Sequence, residues 1–340
     1  MIQMVNTMNR IIKNKTSSRA ARAFIAAALS LIIAVSMVLL DAAAVSAEDA
    51  GSLTYNTLAP ETQMASLTLL EKNGRFFDYR TEAGQKLYGY DTLQGACANN
   101  GYAYLTLYNR NVEKCKIVKV DLASLTVVKV SKKLPIYHAN NLTYNTRKNL
   151  IVATCCRVKD KRVVFINPNT LKVTKKKNIK LTRKVKGLPK SVRKKYKGFT
   201  AIAYNEQKNC YVGRLRNNNN VIIFDGNMKP RRYVKLRGKN SHLLNQGMES
   251  IGDYIFDVRS FKGLYLYNIV TVHTLDGEFA GQMVFPYGTF PGNELQCIFH
   301  DGSQFYAGFY NTTSQANDTK ANHVMRLNRL FKVNNLKYPE

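Results

Sequence analysis

The stretch QGACANNGYAYLTLYN, Gln94–Asn109, joined to KIVKVDLASLTVVKV, Lys116–Val130, decides how this chain folds. Asn99-Asn100-Gly101 separates two strand-like runs, and Asn and Gly are residues that tolerate the positive φ of a tight hairpin turn. The segment therefore reads as two successive hairpins, four short strands in a row. The same form returns in HANNLTYNTRKNLIVATCC with RVVFINPNTLKVT, His138–Thr174, and in GFTAIAYNEQKNCYVGRLR with NVIIFDGNMKPRRYVKL, Gly198–Leu236. A fourth unit runs from Gln246 to Phe285 and a fifth from Asn293 to about Val333. Tyr144-Asn145 and Tyr204-Asn205 occupy equivalent places, as do the turn residues Asn167-Pro168-Asn169-Thr170, Asp225-Gly226-Asn227 and Asp276-Gly277. Four short strands repeated at roughly 40 to 50 residues are the signature of propeller blades.

Apolar runs such as Val163-Val164-Phe165-Ile166 and Val221-Ile222-Ile223-Phe224 suit strands covered on both faces by neighbouring blades. Helical periodicity of any length is missing. The expected class is all-β, a β-propeller of five blades, with a sixth open as an alternative if residues 54–90 supply part of one. Ser66 to Leu70 is expected to pair with the last blade and close the ring, since open sheet edges invite aggregation.

Residues 1–47 read as an export signal. Arg10, Lys13, Lys15, Arg19 and Arg22 precede the uncharged run Ala23 to Leu40, apolar but for Ser30 and Ser36, and Val45-Ser46-Ala47 supplies small residues for a signal peptidase. The run also reaches the lower length limit for a spanning helix, so an uncleaved membrane anchor is the competing reading. The expected organisation is a signal at 1–47, an N-terminal segment at 48–90 and a propeller at 91–340, secreted or held at the cell surface.

The units QGACANNGYAYLTLYN, HANNLTYNTRKNLIVAT and INPNTLKV resemble those of exported bacterial β-propeller proteins of the broad NHL and YVTN type, over about residues 90 to 335. There is no Trp in the chain, so the Trp-Asp dipeptide of WD-type propellers is missing. The resemblance implies a fold and leaves the activity open.

The chain carries 51 Lys and Arg against 22 Asp and Glu, a net charge of +29. The first 47 residues hold five basic and one acidic residue, which leaves a net of about +25 on the remainder. Thirteen basic residues and no acidic one fall within 172–197, KVTKKKNIKLTRKVKGLPKSVRKKYK, read as an insertion between the second and third units. Lys175, Lys176, Lys177, Arg183, Lys184, Lys190, Arg193, Lys194 and Lys195 are the candidate anion-binding residues. For an exported protein the matching partners are an anionic cell-wall polymer, an acidic glycan or an anionic membrane surface, bound through counterion release and contacts to phosphate or sulfate. Only Tyr196 and Phe199 interleave with the run, too few for a nucleic-acid stacking platform.

By analogy with the fold, the first strand of each blade lines the central axis and its opening residues gather at one mouth. The candidates there are Gln94, His138, Asn140, Asn141, Thr200, Gln246, Glu249, Glu294 and Gln296. Gly95 and Gly247, beside Gln94 and Gln246, would let backbones crowd at the axis. Glu249, Glu294, Asn140 and Asn141 offer oxygen ligands hard enough for a divalent cation such as Ca. A metal-dependent lactonase or hydrolase is thus the alternative, and a scaffold for another exported protein a third. No HExxH, GxSxG or CxxC pair occurs, so no metal or nucleophile follows from spacing and no cofactor is expected. His138 opens a first strand and is the histidine best placed for acid–base or ligand use. The six cysteines, Cys97, Cys115, Cys155, Cys156, Cys210 and Cys297, are expected to form at most one disulfide, Cys97 with Cys115. A monomer is expected, and no residue pattern specifies a reaction.

Overall fold

The computed structural model describes residues 53–54, 62–155, 157, 159–216, 220–238, 244–260, 268–285, 293–312 and 326–337, all in the compact unit Ser52–Glu340. The export signal, Cys156, His242, His323 and residues 217–219 and 313–322 lie outside the described residues.

The N-terminal segment contributes β1 (Leu53–Thr54), β2 (Thr62–Met64), β3 (Leu67–Leu69), a small hairpin of β4 (Glu71–Lys72) and β5 (Arg75–Phe76), and one turn of helix, α1 (Tyr79–Ala83). Four-stranded meanders follow. Blade one is β6 (Thr92–Asn99), β7 (Tyr102–Asn109), β8 (Lys114–Asp121) and β9 (Thr126–Val130). Blade two is β10 (Leu142–Asn145), β11 (Leu150–Thr154), β12 (Arg162–Ile166) and β13 (Val173–Asn178). After the short helix α2 (Lys190–Lys194), blade three is β14 (Phe199–Asn205), β15 (Cys210–Leu215), β16 (Val221–Asp225) and β17 (Pro230–Val234). Blade four is β18 (Leu244–Ile251), β19 (Tyr254–Ser260), β20 (Asn268–Thr274) and β21 (Phe279–Phe285), and blade five is β22 (Asn293–Asp301), β23 (Gln304–Thr312) and β24 (Arg326–Lys337).

The chain is a five-bladed β-propeller. Its innermost strands β6, β10, β14, β18 and β22 pack side by side, and β22 returns against β6 to close the circle. Among the described residues, the N-terminal segment builds no sixth blade. Instead β2 adds to β21 of blade four, while β3 lies antiparallel to β24, Phe331 opposite Leu69 and Val333 opposite Leu67, as the fourth strand of blade five. β1 runs parallel on β24 as well. The last blade is therefore made from both ends of the described chain.

Turn chemistry fixes the meander. Asn145 and Asn205 end inner strands and accept from the backbone N–H groups of Lys148 at 2.8 Å and Lys208 at 3.0 Å. Between third and fourth strands, Asp121, Asn167 and Asp225 accept two turn N–H groups each with one side-chain oxygen. Asn100, Asn149 and Asn209 take φ of 51°, 50° and 45°, the left-handed conformation that short polar side chains tolerate.

Apolar clusters fill the wedges between blades. Leu93, Leu105 and Val118 of blade one meet Phe299 and Leu330 of blade five, with Phe77, Tyr79 and Leu87 of the N-terminal segment sealing that seam. The five described cysteines are buried and form no disulfide with one another. The Cys97–Cys115 disulfide is not formed, because the two belong to different strands of one blade and face different neighbours. Cys97 feels Glu249 and Cys297 at the axis, whereas the Cys115 thiol donates to the Tyr137 carbonyl at 2.8 Å.

Candidate functional site

In an outward meander every inner strand begins on one face of the disc, here the entry face, and ends on the other, the exit face. Connections between blades consequently lie at the entry face. The axial residues do not form one mouth: the structure distributes them over two mouths and a closed waist between them.

At the entry face, Gln246 donates through its side-chain amide to Glu294 Oε1, and Ser260 Oγ donates to the same oxygen at 3.4 Å. Burial pushes the Glu294 carboxyl above its ordinary value, against these hydrogen bonds and the pull of Arg110. His138 Nδ1 bonds Asn140 Oδ1, and the ring meets Tyr108 edge-on at 4.8 Å. Burial pulls His138 down, and Arg110 and Arg216 act in the same direction against the Asn140 bond. The neutral ring then carries its proton on Nδ1, which leaves Nε2 as an acceptor. Gln94 and Gln296 are each 2% exposed, and their side-chain carbonyl oxygens have no hydrogen-bond partner. Glu294→Gln removes a carboxylate whose protonated form the fold favours. That contribution is lost as pH rises through the raised native pKa, so the variant is expected to match or exceed the parent by up to about 1 kcal/mol near pH 7.5. The difference should vanish below about pH 4, read by urea denaturation across pH.

Directly beneath lies a buried charge network. Arg214 and Asp257 side chains are 0% exposed and Arg259 is 4% exposed. Asp257 accepts from Arg214 on one oxygen and from Arg259 Nε at 2.7 Å on the other. Arg214 also donates to Thr200 Oγ1 at 3.0 Å and to the Gln246 and Gly247 carbonyls, so the network braces blades three and four where Gln246 leaves the ring. Burial pushes Asp257 up, but Arg214 and Arg259 outweigh it and hold the carboxyl below its usual range. Sequence reasoning missed these three. The available signal was a charge inside apolar strands, in Tyr211-Val212-Gly213-Arg214-Leu215 and Ile255-Phe256-Asp257-Val258-Arg259.

The waist is closed by Asn141, which is fully buried and donates through Nδ2 to the Ile202 and Met248 carbonyls, both at 2.7 Å. One side chain thereby joins blades two, three and four. A Cβ on Gly95 would stand 2.7 Å from Asn141 Cα, and one on Gly247 would stand 2.8 Å from the Gln296 carbonyl oxygen. Both glycines are required by this backbone contact, whatever their φ.

Glu249 belongs to the exit face. It lines a cavity of about 160 Å3 together with Tyr144, Tyr204, Glu206, His300 and Asp301. Its Oε1 accepts from the Ser250 N–H at 2.9 Å and its Oε2 lies 3.6 Å from His300 Nδ1. Glu249 and Glu294 are thus held on opposite sides of the waist and share no site. Among the described residues no group of three or more His, Cys, Asp and Glu side chains comes together to hold a metal.

The basic run is also divided. Lys175, Lys176 and Lys177 sit on β13, paired with Phe165, Val164 and Val163 as the outer strand of blade two, so the insertion proper begins at Ile179. Ile179, Leu181 and Val185 are buried against blade three, and Leu188, Val192 and Tyr196 pack on the same cluster. Ile179, Leu181 and Val185 are buried while Lys180, Arg183, Lys184 and Lys186 are exposed, with a turn closed by the Val185 N–H on the Thr182 carbonyl between Leu181 and Val185. Lys186 even pairs through its backbone with β17, donating to the Arg231 carbonyl and accepting from the Tyr233 N–H, each at 2.9 Å. Other cations nearby have carboxylate partners, Arg231 with Asp225 at 2.7 Å and Arg162 with Asp160 at 2.6 Å. Among the described residues, no ion pair engages Lys175, Lys176, Arg183, Lys184, Lys190 or Arg193.

No family model matches the chain, and no curated protein does. Solved structures similar to it include Kuenenia stuttgartiensis hydrazine synthase, at 9% identity and a TM-score of 0.39 over 72% of this chain and 63% of that one. A member of the DUF4221 family from Bacteroides vulgatus matches at 10% identity and a TM-score of 0.38, over 80% of this chain and 98% of that one. The β-propeller domain of Cps50 (Swd1) from Myceliophteria thermophila matches at 7% identity and a TM-score of 0.35, over 70% and 71%. The chain spans less than two thirds of the length of the first of these.

Proposed function

We propose that this chain is an exported binding protein of the broad NHL and YVTN-like type that recognises an anionic polymer or acidic glycan at the cell surface. The reading rests on one observation: among the described residues, Lys175, Lys176, Arg183, Lys184, Lys190 and Arg193 stand on or beside an apolar footing and no ion pair engages them. The insertion connects one blade to the next, so it arrives at the ring on the entry face, where His138, Asn140, Gln94, Gln246 and Glu294 gather. Arg216, next to the insertion's last residues, is close enough to act on His138. Attraction by the basic edge and selection by the entry mouth can therefore serve one ligand.

Replacing Lys175, Lys176, Arg183, Lys184, Lys190 and Arg193 together by glutamine is the test. The parent should bind a phosphate polymer with log K falling against log salt with a slope of about −4 for six contacts, and the variant should lose most of that slope and the low-salt affinity with it. Parent affinity independent of salt, or a variant that binds like the parent, would reject the reading. Co-purification of a partner protein with neither polymer bound would favour the scaffold alternative.

A further inference from the structure

We propose that the exit-face cavity lined by Glu249 is a binding site for a primary ammonium group, carried by an amino sugar or by a lysine side chain. The closed waist separates this cavity from the entry mouth, so the inference stands apart from the polyanion reading. The chain has 51 Lys and Arg against 22 Asp and Glu. Yet the described residues that line this cavity of about 160 Å3 include Glu206, Glu249 and Asp301 and no Lys or Arg. On so basic a protein, that local reversal of sign favours a cation and disfavours the polymer that the basic edge attracts.

The bonding of Glu249 supplies the second observation. Its side chain is 7% exposed, and Oε1 accepts from the Ser250 N–H at 2.9 Å. Oε2 stands 3.6 Å from His300 Nδ1, beyond hydrogen-bond length, and no Lys or Arg among the described residues pairs with it. Buried carboxylates are ordinarily bonded through both oxygens, as Asp160 is to Arg162 and Asp257 is to Arg214 and Arg259. Unlike the sealed side-chain oxygens of Gln94 and Gln296, Oε2 keeps accessible surface, on a side chain that forms a wall of the cavity. It is an acceptor held ready for a donor from outside. Its place is fixed by β18, where Glu249 lies opposite Phe256, and that of His300 by β22, with its ring 5.6 Å from Phe305. One available oxygen also selects the shape of the cation. A guanidinium fork takes both oxygens of a carboxylate, and here Oε1 is committed to Ser250, whereas an ammonium is a point charge that one oxygen answers. A calcium ion needs about six oxygen ligands, and among the described residues no group of three or more His, Cys, Asp and Glu comes together to hold a metal.

Titration calorimetry with glucosamine, N-acetylglucosamine, Nα-acetyl-lysine amide and Nα-acetyl-arginine amide tests the site, using the parent, Glu249→Gln and Asp276→Asn. At least one of the two primary amines should bind the parent, and the one that binds names the source of the ammonium. Glu249→Gln should weaken that binding about tenfold or more, the effect of a hydrogen bond to a charged group. The glutamine keeps a carbonyl oxygen for the Ser250 N–H, so it should melt close to the parent. Asp276→Asn removes an exposed carboxylate outside the cavity and should leave amine affinity unchanged. No binding of either amine to the parent overturns the site, as does an amine bound no tighter than its acetylated or guanidinium counterpart, and neither result depends on a variant. Affinity unchanged by Glu249→Gln, or lowered as much by Asp276→Asn, overturns it too. Amine binding by a protein that retains no phosphate polymer upholds the site and removes the polymer reading. Polymer binding without amine binding does the reverse.

Discussion

Asp257→Asn is expected to lower unfolding stability by about 4 kcal/mol, because removing one member of a buried ion network leaves the rest uncompensated. The substitution leaves Arg214 and Arg259, at 0% and 4% exposure, facing each other across a neutral amide. A whole domain holds about 5–15 kcal/mol, so a loss of this size removes a large fraction of it. The fall in melting temperature should be roughly 10 °C for a domain of this size. The acid limb of the stability profile should change as well. With its native pKa lowered, Asp257 contributes stability that is present above the unfolded value of about 3.9 and lost as pH falls below it, and the asparagine variant lacks that segment. Replacing Arg214, Asp257 and Arg259 together by Met, Leu and Met should recover part of the loss. Recovery stays partial because the Gln246 and Gly247 carbonyls lose their donor. Urea denaturation of both variants is the measurement, and a single variant within about 1 kcal/mol of the parent would show the network to be dispensable.

The second large effect concerns the waist. Asn141→Ala removes two amide bonds of 2.7 Å and leaves the Ile202 and Met248 carbonyls buried without a donor. Each such loss costs about 1–3 kcal/mol, so a total near 4 kcal/mol is expected. Gly95→Ala attacks the same contact from the other side, since its Cβ would meet the Asn141 backbone at 2.7 Å and 2.9 Å. Neither backbone can rotate away as a side-chain tip would, and overpacking of this kind costs typically 1–3 kcal/mol. The two substitutions share one contact, so their combined effect should fall short of the sum, which a double-mutant cycle would reveal. Full additivity would mean that the strands are not locked together there.

The blades were legible because their signals are local. Asn99-Asn100-Gly101 and Asn145 to Asn149 act within a few residues, and the apolar runs between them need only a period of two. The axial site was only half legible. Gln246 and Glu249 open the same strand in the sequence, yet at ~3.3 Å per residue they are separated by roughly 10 Å, enough to cross from one mouth to the other. Gly95 and Gly247 announced a crowded axis but not that Asn141 would seal it. The Arg214–Asp257–Arg259 network was hidden because a charge on a strand ordinarily faces solvent, and its burial depends on a neighbouring blade far away in sequence. Lys175 to Lys177 read as a loop because three successive cations mask strand alternation. Their β-branched neighbours Val173 and Thr174, and the spacing of Ile179, Leu181 and Val185, carried the correction.

Sealing β24 with β3 imposes an order on events during synthesis. Leu67–Leu69 must wait, unsatisfied, until the chain has been extended as far as Phe331 and Val333 before their partner emerges. Until then the disc is an open arc with one vacant slot, and completion joins segments far apart in the sequence in a single late step.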